Sequence, residues 1–441
     1  MIRIIDTSTA HTPDGNPRLT FTSELPAREH IGAPLDLERG VQRAVNGLGQ
    51  EVMTEALSRY DIEREASRFG SDAMTSKGRS PERYETLFGE VGLERHTYQS
   101  SDGSKIFCPL EHNAHICENA SIGFRQVLAA KHVSLSGRGL QRELELSHQL
   151  EFSLSYLQDV SQDLGRRALS KEDHWTYAPL TLPGEAKALV FSLDETCGAI
   201  CNEGYKQIMV GAIDMLDAEG HRLETAIVAH APAEGKGTFL ARMERELDRL
   251  RKRYGKVPWL GLCDGASELQ AWLEARCNSR TLDFYHVSEY VGRSAPAFGQ
   301  TSAAQQAWLE ETLHELKHDR DGAIKLQREL AGALAAGDWS GELRTALVDA
   351  ERSVGNNLGR MDYAVNRALA LPIGSGVIEA ACKHVVKQRV ACSGMKWKRK
   401  GLQAVLTLRP LCQSSGHTRG DHLARAGQGG VEHGTARLEG Q

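Results

Sequence analysis

Residues 186–196 read AKALVFSLDET, a nearly continuous apolar run that ends in acidic residues. Two further runs, QIMVGAIDM (207–215) and RLETAIVAH (222–230), follow after short connections that contain glycine. Apolar runs that are joined this closely are typical of successive antiparallel strands. The chain changes character at Pro183, where a sheet-forming region is predicted to begin.

The next four segments alternate between helix and strand patterns. We predict a basic amphipathic helix from about Gly237 to Tyr254, a strand at VPWLGLCDG (257–265), a helix at SELQAWLEARC (267–277) with Ser267 as N-cap, and a strand at LDFYHV (282–287). Three antiparallel strands followed by parallel ones through crossover helices are the order of an RNase H-like sheet. The predicted fold class is therefore α/β, with a mixed five-stranded sheet.

The regions around this sheet are predicted to be mainly helical. Residues 1–34 are polar and are expected to form a mobile arm. Residues 35–180 are expected to form a mainly helical DNA-binding region with a β-hairpin at YETLFGEVGLERHTY (84–98). The other predicted regions are the first part of the sheet core (184–292), an all-α insertion (293–372), the final core helix with a basic segment (373–409) and a disordered tail (410–441).

A candidate helix-turn-helix lies within the N-terminal helical region. LQRELELSHQ (140–149) and SLSYLQDVSQDLGRRAL (153–169) have helical periodicity around a tight connection, and Ser153 is a suitable N-cap for the second helix. An ordinary helical hairpin is the alternative, because helix pairs are common and this pair is not strongly basic.

Composition limits the class of protein. The chain of 441 residues is 40% hydrophobic and 25% charged, which is the range of a globular protein, and no apolar run is long enough for a membrane helix. Nine scattered cysteines and the absence of a signal sequence predict a cytoplasmic location. The net charge of −5 argues against a uniformly basic DNA-coating protein, but it leaves room for local basic surfaces.

Three acids occupy informative positions. Asp194 is predicted at the end of the first strand, Asp264 at the end of the fourth, and Glu379 near the start of the helix after the insertion. Each acid alone has an ordinary explanation: a turn residue, a loop residue and a first-turn acid that complements the helix dipole. Together, in this strand order, they predict a single cluster of carboxylates.

Carboxylates gathered from separate elements suit a pair of Mg²⁺ ions, for which Mn²⁺ is able to substitute. Two such ions activate the attacking oxygen and stabilise the leaving oxygen in phosphodiester transfer. We therefore predict Asp194, Asp264 and Glu379 as metal ligands and catalytic residues.

Asp283 and His286 lie between the second and third acids in the sequence, at a three-residue step on the predicted fifth strand. We predict His286 as a further catalytic residue and Asp283 as a supporting one. A hydrogen-bonded core histidine is the alternative.

The helix predicted from Val377 to Val390 places Glu379, Lys383 and Lys387 on one face. Its buried side would consist of Ile378, Ala381, Cys382 and Val385. With the following segment SGMKWKRKG (393–401), it predicts a DNA-binding surface, for which a solvated basic face is the alternative. The residues of that surface are Lys383, Lys387, Arg389, Lys396, Trp397, Lys398 and Arg399.

A second cluster leaves its function open. Cys108, His112, His115 and Cys117 have side chains that bind zinc, but their spacing is not one of the strong zinc patterns.

Several segments resemble the Kra group of DDE-type bacterial insertion-sequence transposases: FSLDET, LGLCDGASELQAWL, LDFYHVSEY and LPIGSGVIEAACKHVVKQRVACSGMKWKRKGLQAVLTLR. The resemblance covers roughly residues 84–409, and the last block is its most specific part. It implies a triad of Asp194, Asp264 and Glu379 in an RNase H-like domain with a helical insertion before the glutamate. The turn YQSSDGSK (98–105) departs from the family, whose members often carry a Cys-x-x-Cys pair there.

The resemblance further implies Mg²⁺ dependence and action as a homo-oligomer in the bacterial cytoplasm, associated with the nucleoid when bound to DNA. The partners that it implies are transposon-end DNA, recognised by the N-terminal region, and target DNA. Asp283 and His286 match an acid-x-x-His signature of related transposases, where it supports the active site. The alternatives are a catalytically inactive DNA-binding relic of the same fold and a carboxylate-based glycosidase.

Overall fold

The computed structural model describes residues 3–24, 27, 32–62, 68–69, 72–172, 177, 182, 184–232, 236–264 and 267–413. The chain divides into two compact units, an N-terminal unit that ends at Glu172 and a second unit that runs from Asp173 to Gly416. Among the described residues, no helix combines the length and the apolar character needed to cross a membrane.

The N-terminal unit begins with a β-hairpin formed by β1 (Arg3–His11) and β2 (Pro17–Glu24). The prediction of a mobile arm over residues 1–34 was therefore wrong for this part. Alternating β-branched and polar residues favour strands here, and Gly15 supplies the positive φ (+77°) that the connecting turn requires.

A four-stranded sheet follows helix α1 (Pro34–Ser58) in the same unit. The predicted hairpin over 84–98 is confirmed, and both of its strands are longer than the pattern indicated. The strands and the short helix after them are β3 (Arg68–Phe69), β4 (Asp72–Thr86), β5 (Gly89–Ser100), β6 (Ile106–Phe107) and α2 (Pro109–Asn113).

Three helices complete the N-terminal unit: α3 (Ile122–His132), α4 (Gly137–His148) and α5 (Leu154–Ser170). The predicted helix pair is confirmed as α4 and α5. Ser153 caps α5 as predicted, because its hydroxyl accepts a hydrogen bond from the Tyr156 N–H at 3.2 Å. Apolar side chains of all three helices form one core cluster, which includes Phe124, Leu140 and Leu157.

The second unit contains a mixed five-stranded sheet with the strand order β11-β10-β7-β8-β9. Strands β7 (Ala188–Ile200), β8 (Gly204–Leu216) and β9 (Arg222–His230) pair antiparallel, as predicted. Strand β10 (Trp259–Cys263) pairs parallel with both β7 and β11 (Ser279–Leu282). The predicted α/β class with a mixed sheet is confirmed.

Helices cover both faces of this sheet. On one face, α6 (Gly237–Tyr254) and α7 (Ser267–Glu274) pack against Phe191, Met209 and Val228. The side chain of the predicted N-cap Ser267 lies outside the described residues. On the opposite face, Val210 and Ala212 of β8 pack against the helical segment that carries Glu379.

The insertion is helical, as predicted, but it begins earlier than expected. Helix α8 starts at Phe284, so the predicted strand over 282–287 was wrong after Leu282. Its helices are α8 (Phe284–Ser294), α9 (Ser302–His318), α10 (Gly322–Ala336), α11 (Gly341–Asn357) and α12 (Tyr363–Ala368), with short 3₁₀ turns at 295–297 and 358–360. A separate apolar cluster, which includes Val291, Leu330 and Val354, forms their core.

The chain returns to the sheet through α13 (Gly376–Ala381), a π-helical segment (Cys382–Lys387) and a short α14 (Gln388–Val390). Helix α15 (Arg399–Gln413) ends the described chain. The predicted disordered tail was therefore wrong for residues 410–413, since Leu411 and Cys412 are buried in this helix. The rest of that prediction, residues 414–441, lies outside the described residues.

Candidate functional site

Asp194 of β7 and Asp264, the first residue after β10, lie close enough for the charge of Asp264 to affect the pKa of Asp194. Leu262 of β10 is paired with Ser192 of β7, so Asp264 and Asp194 each stand two residues beyond one parallel pair. Because side chains alternate along a strand, Asp194 lies on the same face as Ser192. Asp194 was predicted at the end of its strand, but β7 continues to Ile200. The strand that ends near Asp194 is the shorter β10, whose last residue is Cys263.

Glu379 is carried by the helix that packs on this same face. Ile378, Ala381 and Cys382 are buried against β8, as predicted, whereas Glu379 is exposed. The next helical turn brings the thiol of Cys382 to Asp194, where Sγ lies 3.4 Å from Oδ2. Cys382 therefore stands between the first and the third acid.

The pKa shifts of Asp194 and Cys382 reflect the charges of the neighbouring acids. Burial raises the pKa of Asp194, and the negative charge of Asp264 raises it further. Burial also raises the pKa of the Cys382 thiol, to which the charges of Asp194 and Glu379 both contribute. The charge of Asp264 therefore reaches Asp194, and the charge of Glu379 reaches the thiol that is bonded to Asp194.

Two hydrogen bonds fix the orientation of the Asp194 carboxylate. Oδ1 accepts the backbone N–H of Glu195 at 2.7 Å, and Oδ2 accepts the thiol of Cys382. Each carboxylate oxygen has two acceptor sites. One site on each oxygen therefore remains for a ligand.

Asp283 anchors the entry to the Glu379 helix. Its buried carboxylate caps α8 by accepting the N–H groups of Tyr285 (2.6 Å) and His286 (3.3 Å). The same carboxylate accepts the Ser375 N–H at 3.1 Å and the Ser375 hydroxyl. This cap explains why a helix replaces the predicted strand, since it satisfies the first free N–H groups of α8.

Ser375 joins this anchor to the third acid. Its Oγ lies 2.8 Å from Oε1 of Glu379 and is also bonded to Asp283. A hydroxyl has one proton, so Ser375 donates to Asp283 or to Glu379 at any one time. Burial raises the pKa of Asp283, and the charge of Glu379 adds to the effect, whereas the N–H groups of Tyr285, Ser375 and His286 lower it.

Gly374 allows the two segments to approach each other. A Cβ at Gly374 would lie 2.6 Å from the ring of Tyr285, which leaves no room for a larger residue. The backbone N–H of Phe284 donates to the Ile373 carbonyl at 2.9 Å beside this contact. The Gly-Ser-Gly segment is thus held against the start of α8 by backbone and side-chain contacts together.

His286 does not join the acids. It lies on the first turn of α8, where its ring packs edge-on against Tyr290 with 5.1 Å between centroids. Among the described contacts, none joins its imidazole to Asp194, Asp264 or Glu379. Its predicted place on a strand was wrong, because the Asp283 cap begins a helix there.

The predicted basic surface is only partly exposed. Lys383, Lys387, Lys396 and Lys398 are exposed, and Arg399 is exposed but bonded to Glu203 and to the Pro232 carbonyl. The π-helical segment that carries the first two lysines follows directly after α13, and segments of this kind are frequent at functional sites.

Arg389 and Trp397 are corrections to that surface. Arg389 is buried, with its guanidinium 4.8 Å from the centre of the Trp397 ring. The indole N–H of Trp397 donates to the Val390 carbonyl at 3.1 Å, and its backbone pairs with the end of β7. Both side chains therefore stabilise the basic segment from within.

A cavity of about 400 Å³ lies on the same sheet face. Its lining includes Ser192, Asp214, Leu262 and Val377. Asp214 is buried, which raises its pKa, while the Thr225 hydroxyl and Arg222, whose Nε lies 3.1 Å away, bind its carboxylate. The sequence pattern did not single out this acid, because a lone Asp inside an apolar strand carries no spacing signal.

A compact group of possible metal ligands lies away from the three acids in sequence. Within the described residues, one group of three has all its ligand atoms within 4.8 Å of one another: Asp217, Glu219 and His221 in the turn between β8 and β9. The three predicted acids do not meet that distance together, and the four candidate zinc ligands at 108–117 do not either. In that second cluster, Cys108 is buried, which raises its pKa to about 12, and His112 packs against Phe107.

The donor set at the three acids still fits divalent cations. It consists of hard carboxylate oxygens from three separate elements, and two of them are adjacent by strand register. Glu379 is exposed, and the hydroxyl of Ser375 lies 2.8 Å from its Oε1. No family model matches the chain, and no curated protein matches it.

Proposed function

We propose that this chain is a DDE-type transposase with an RNase H-like core, which cleaves DNA at insertion-sequence ends and joins the freed ends to a target. The observation that carries the proposal is the register of β7 and β10, which sets Asp194 beside Asp264 on the face that the Glu379 helix covers. The strand order, with the insertion between β11 and the Glu379 helix, supports an RNase H-like arrangement.

Asp194, Asp264 and Glu379 would hold two Mg²⁺ ions, or Mn²⁺ in their place. When bound, such a pair activates the attacking oxygen and stabilises the leaving oxygen of the phosphodiester. Burial raises the pKa of Asp194 and the negative charge of Asp264 adds to the rise, so a cation bound beside both carboxylates would favour their ionised forms.

The protein's own contribution is positioning. Cys382 and the Glu195 N–H fix the carboxylate plane of Asp194, and Ser375 fixes Glu379. Second contacts of this kind orient ligands and typically affect metal affinity or activity by about 10–100-fold. Lys383 and Lys387 lie exposed on the helical segment after Glu379, where they would meet backbone phosphates.

The proposed reaction has two displacements at phosphorus. Water attacks a phosphodiester at the element end, a P–O bond forms and the bond to the 3′ oxygen breaks, which frees a 3′-OH. That hydroxyl then loses its proton and attacks a target phosphodiester, and the 3′ oxygen that it displaces takes up a proton. Both steps exchange one P–O bond for another, so no oxidant or reductant is needed.

A nicking assay tests the proposal. Purified protein with Mg²⁺ should nick a labelled DNA that carries the element end, and EDTA should stop the reaction. The variants D194N, D264N and E379Q should each abolish nicking while binding DNA as the wild type does. Undiminished nicking in any one of them would remove that residue from the proposed triad.

The second candidate is a DNA-binding protein of the same fold without catalysis. Two observations favour it. Glu379 is hydrogen-bonded to Ser375, and the ligand atoms of the three acids do not all lie within 4.8 Å of one another. This candidate predicts salt-sensitive DNA binding with no metal-dependent nicking under any condition in the same assay.

A further inference from the structure

Helix α1 (Pro34–Ser58) packs Leu57 and Met53 into the core of its own unit, but several of its other apolar side chains face away from that core. The side against β5 is formed by small and polar residues, including Gly40, Asn46 and Gly49. The Asn46 amide donates to the His148 carbonyl at 2.7 Å, and a Cβ at Gly49 would lie 2.3 Å from the Phe88 ring. Before Met53, the close approach of α1 to its unit therefore depends on residues with little apolar surface.

An apolar stripe runs along the outward side of α1. It consists of Val41, Val45, Leu48, Val52 and Ala56, at steps of four, three, four and four residues, which keeps them on one side of a helix. Val41, Val45 and Val52 are 45%, 47% and 42% exposed. Helices of globular proteins normally turn such a stripe towards a core, and a contiguous exposed stripe indicates an interaction site.

Four of the five residues of the stripe form pairs that are symmetric about the point between residues 48 and 49, and Leu48 lies beside that point. Val45 and Val52 lie at equal distances from that point, as do Val41 and Ala56. Beyond the stripe on the same side, Glu38 and Arg59 form a third equidistant pair, and their charges are opposite.

We propose that this stripe is a dimer interface, in which α1 packs antiparallel against α1 of a second copy of the chain. A two-fold axis through the midpoint would place Val45 against Val52 of the partner subunit and Val41 against Ala56 of the partner subunit. It would also set Glu38 against Arg59 of the partner subunit at both ends. The inference does not depend on the proposed nuclease function.

Charge complementarity favours an antiparallel copy of α1 as the partner of this stripe. An antiparallel copy places opposite charges together at both ends, whereas a parallel copy would bring Glu38 to its own equivalent and Arg59 to its own. A helix of 25 residues is about 37 Å long, which is enough for such a seam. DNA would meet valines and an acid on this side, which makes it an unsuitable partner.

Sedimentation equilibrium of the full chain at several concentrations tests the interface. We expect a reversible dimer for the wild type. The variant with Val45→Glu and Val52→Glu should dissociate about tenfold more readily or more, because its carboxylates would be buried without partners. Leu146→Glu is the matched control, since Leu146 is 61% exposed in the same unit, and it should dimerise normally.

A charge exchange distinguishes a surface effect from loss of folding. Glu38→Arg and Arg59→Glu should each weaken the dimer, and the two together should restore it, with circular dichroism unchanged throughout. A wild type that stays monomeric at every concentration would overturn the inference, as would a dimer that is insensitive to the Val45/Val52 variant. Failure of the combined exchange to restore the dimer would overturn the antiparallel arrangement. None of these results depends on DNA cleavage.

Discussion

The thiol of Cys382 donates a hydrogen bond to Oδ2 of Asp194, with 3.4 Å between the two atoms. Glu379 lies one helical turn before this thiol, so a single contact connects the helix of the third acid to the strand of the first. The contact also affects the charge of Asp194. Burial raises the pKa of this acid, whereas the hydrogen bonds from the Glu195 N–H and Cys382 lower it.

Cys382→Ala should therefore shift the pH profile of cleavage. Without the thiol, burial acts on Asp194 with less opposition, its pKa rises further, and ionisation requires a higher pH. The acidic limb of the metal-dependent nicking rate should move to higher pH, whereas Cys382→Ser should keep it near the wild-type position. Cys197→Ala, at an exposed cysteine on the same strand, is the control, and an acidic limb that coincides in Cys382→Ala and wild type would refute the role of the thiol.

Ser375→Ala should uncouple Glu379 from its anchor. We expect nicking to fall by about 10–100-fold, as for other residues that orient metal ligands. We also expect the free energy of unfolding to fall by about 1–3 kcal/mol, because the buried Asp283 loses a donor. Ser340→Ala is the control, since Ser340 precedes a helix without a side-chain hydrogen bond. Equal nicking rates in the Ser375 and Ser340 variants would show that the anchor has no part in the activity.

Asp194→Asn should stabilise the protein in EDTA while it removes activity. The folded-state pKa of Asp194 is raised above the ordinary value of 3.8, so the wild type loses stability as pH rises from that value through the folded pKa. The amide does not ionise, so the difference in the free energy of unfolding between variant and wild type should grow over this window. Urea titrations at several pH values measure it.

With Mg²⁺ present, the wild type should become more stable than Asp194→Asn, because a ligand that binds only the folded state adds stability. The wild type should gain from the ion and Asp194→Asn should gain less. Asp321→Asn serves as the control, since Asp321 is exposed and makes no side-chain cap hydrogen bond. In EDTA, a difference in the free energy of unfolding between Asp194→Asn and wild type that stays constant with pH would contradict the raised pKa of Asp194.

Lys383→Ala and Lys387→Ala should each weaken DNA binding and make it less dependent on salt. The slope of log affinity against log salt should become shallower by about 0.9 for each lysine that contacts a phosphate. Lys252→Ala is the control, because Lys252 is exposed on α6, which covers the other face of the sheet. Slopes that do not change in the two site variants would exclude this surface.

Arg389→Ala should act on stability instead. The buried guanidinium packs on Trp397, so its loss should lower the free energy of unfolding by about 1–3 kcal/mol. The salt slope of DNA binding should stay at the wild-type value. A variant with normal stability and a shallower slope would return Arg389 to the DNA-binding surface.

Periodicity predicted the parts of this fold that depend on repeating patterns. The apolar runs of β7, β8 and β9 identified an antiparallel group, and Ser153 was recognised as a cap from its position alone. The buried side of the Glu379 helix was also correct, because Ile378, Ala381 and Cys382 follow the helical repeat. Strand order also predicted that Asp194 and Asp264 belong to neighbouring strand ends, whereas a single cation site shared with Glu379 stays a prediction.

The errors came from residues whose environment is set by distant segments. Tyr285 and His286 have the composition of a strand, but a cap by Asp283, itself held by Ser375, begins a helix there. Arg389 was assigned to the surface because arginines are usually exposed, and its burial depends on Trp397. Ser375 was missed although its four-residue step to Glu379 is a signal for a contact on one helical face.

The central claim is that three acids distant in the chain share one cation site, and cleavage of the protein by bound iron tests it directly. Fe²⁺ in place of Mg²⁺, with ascorbate and peroxide, generates hydroxyl radicals that cut the nearest backbone, and mass spectrometry locates the cuts. The account predicts cuts beside Asp194, Asp264 and Glu379 together, all suppressed by excess Mg²⁺ and by Asp194→Asn. Cuts confined to the turn at Asp217–His221, or to one of the three segments alone, would contradict it.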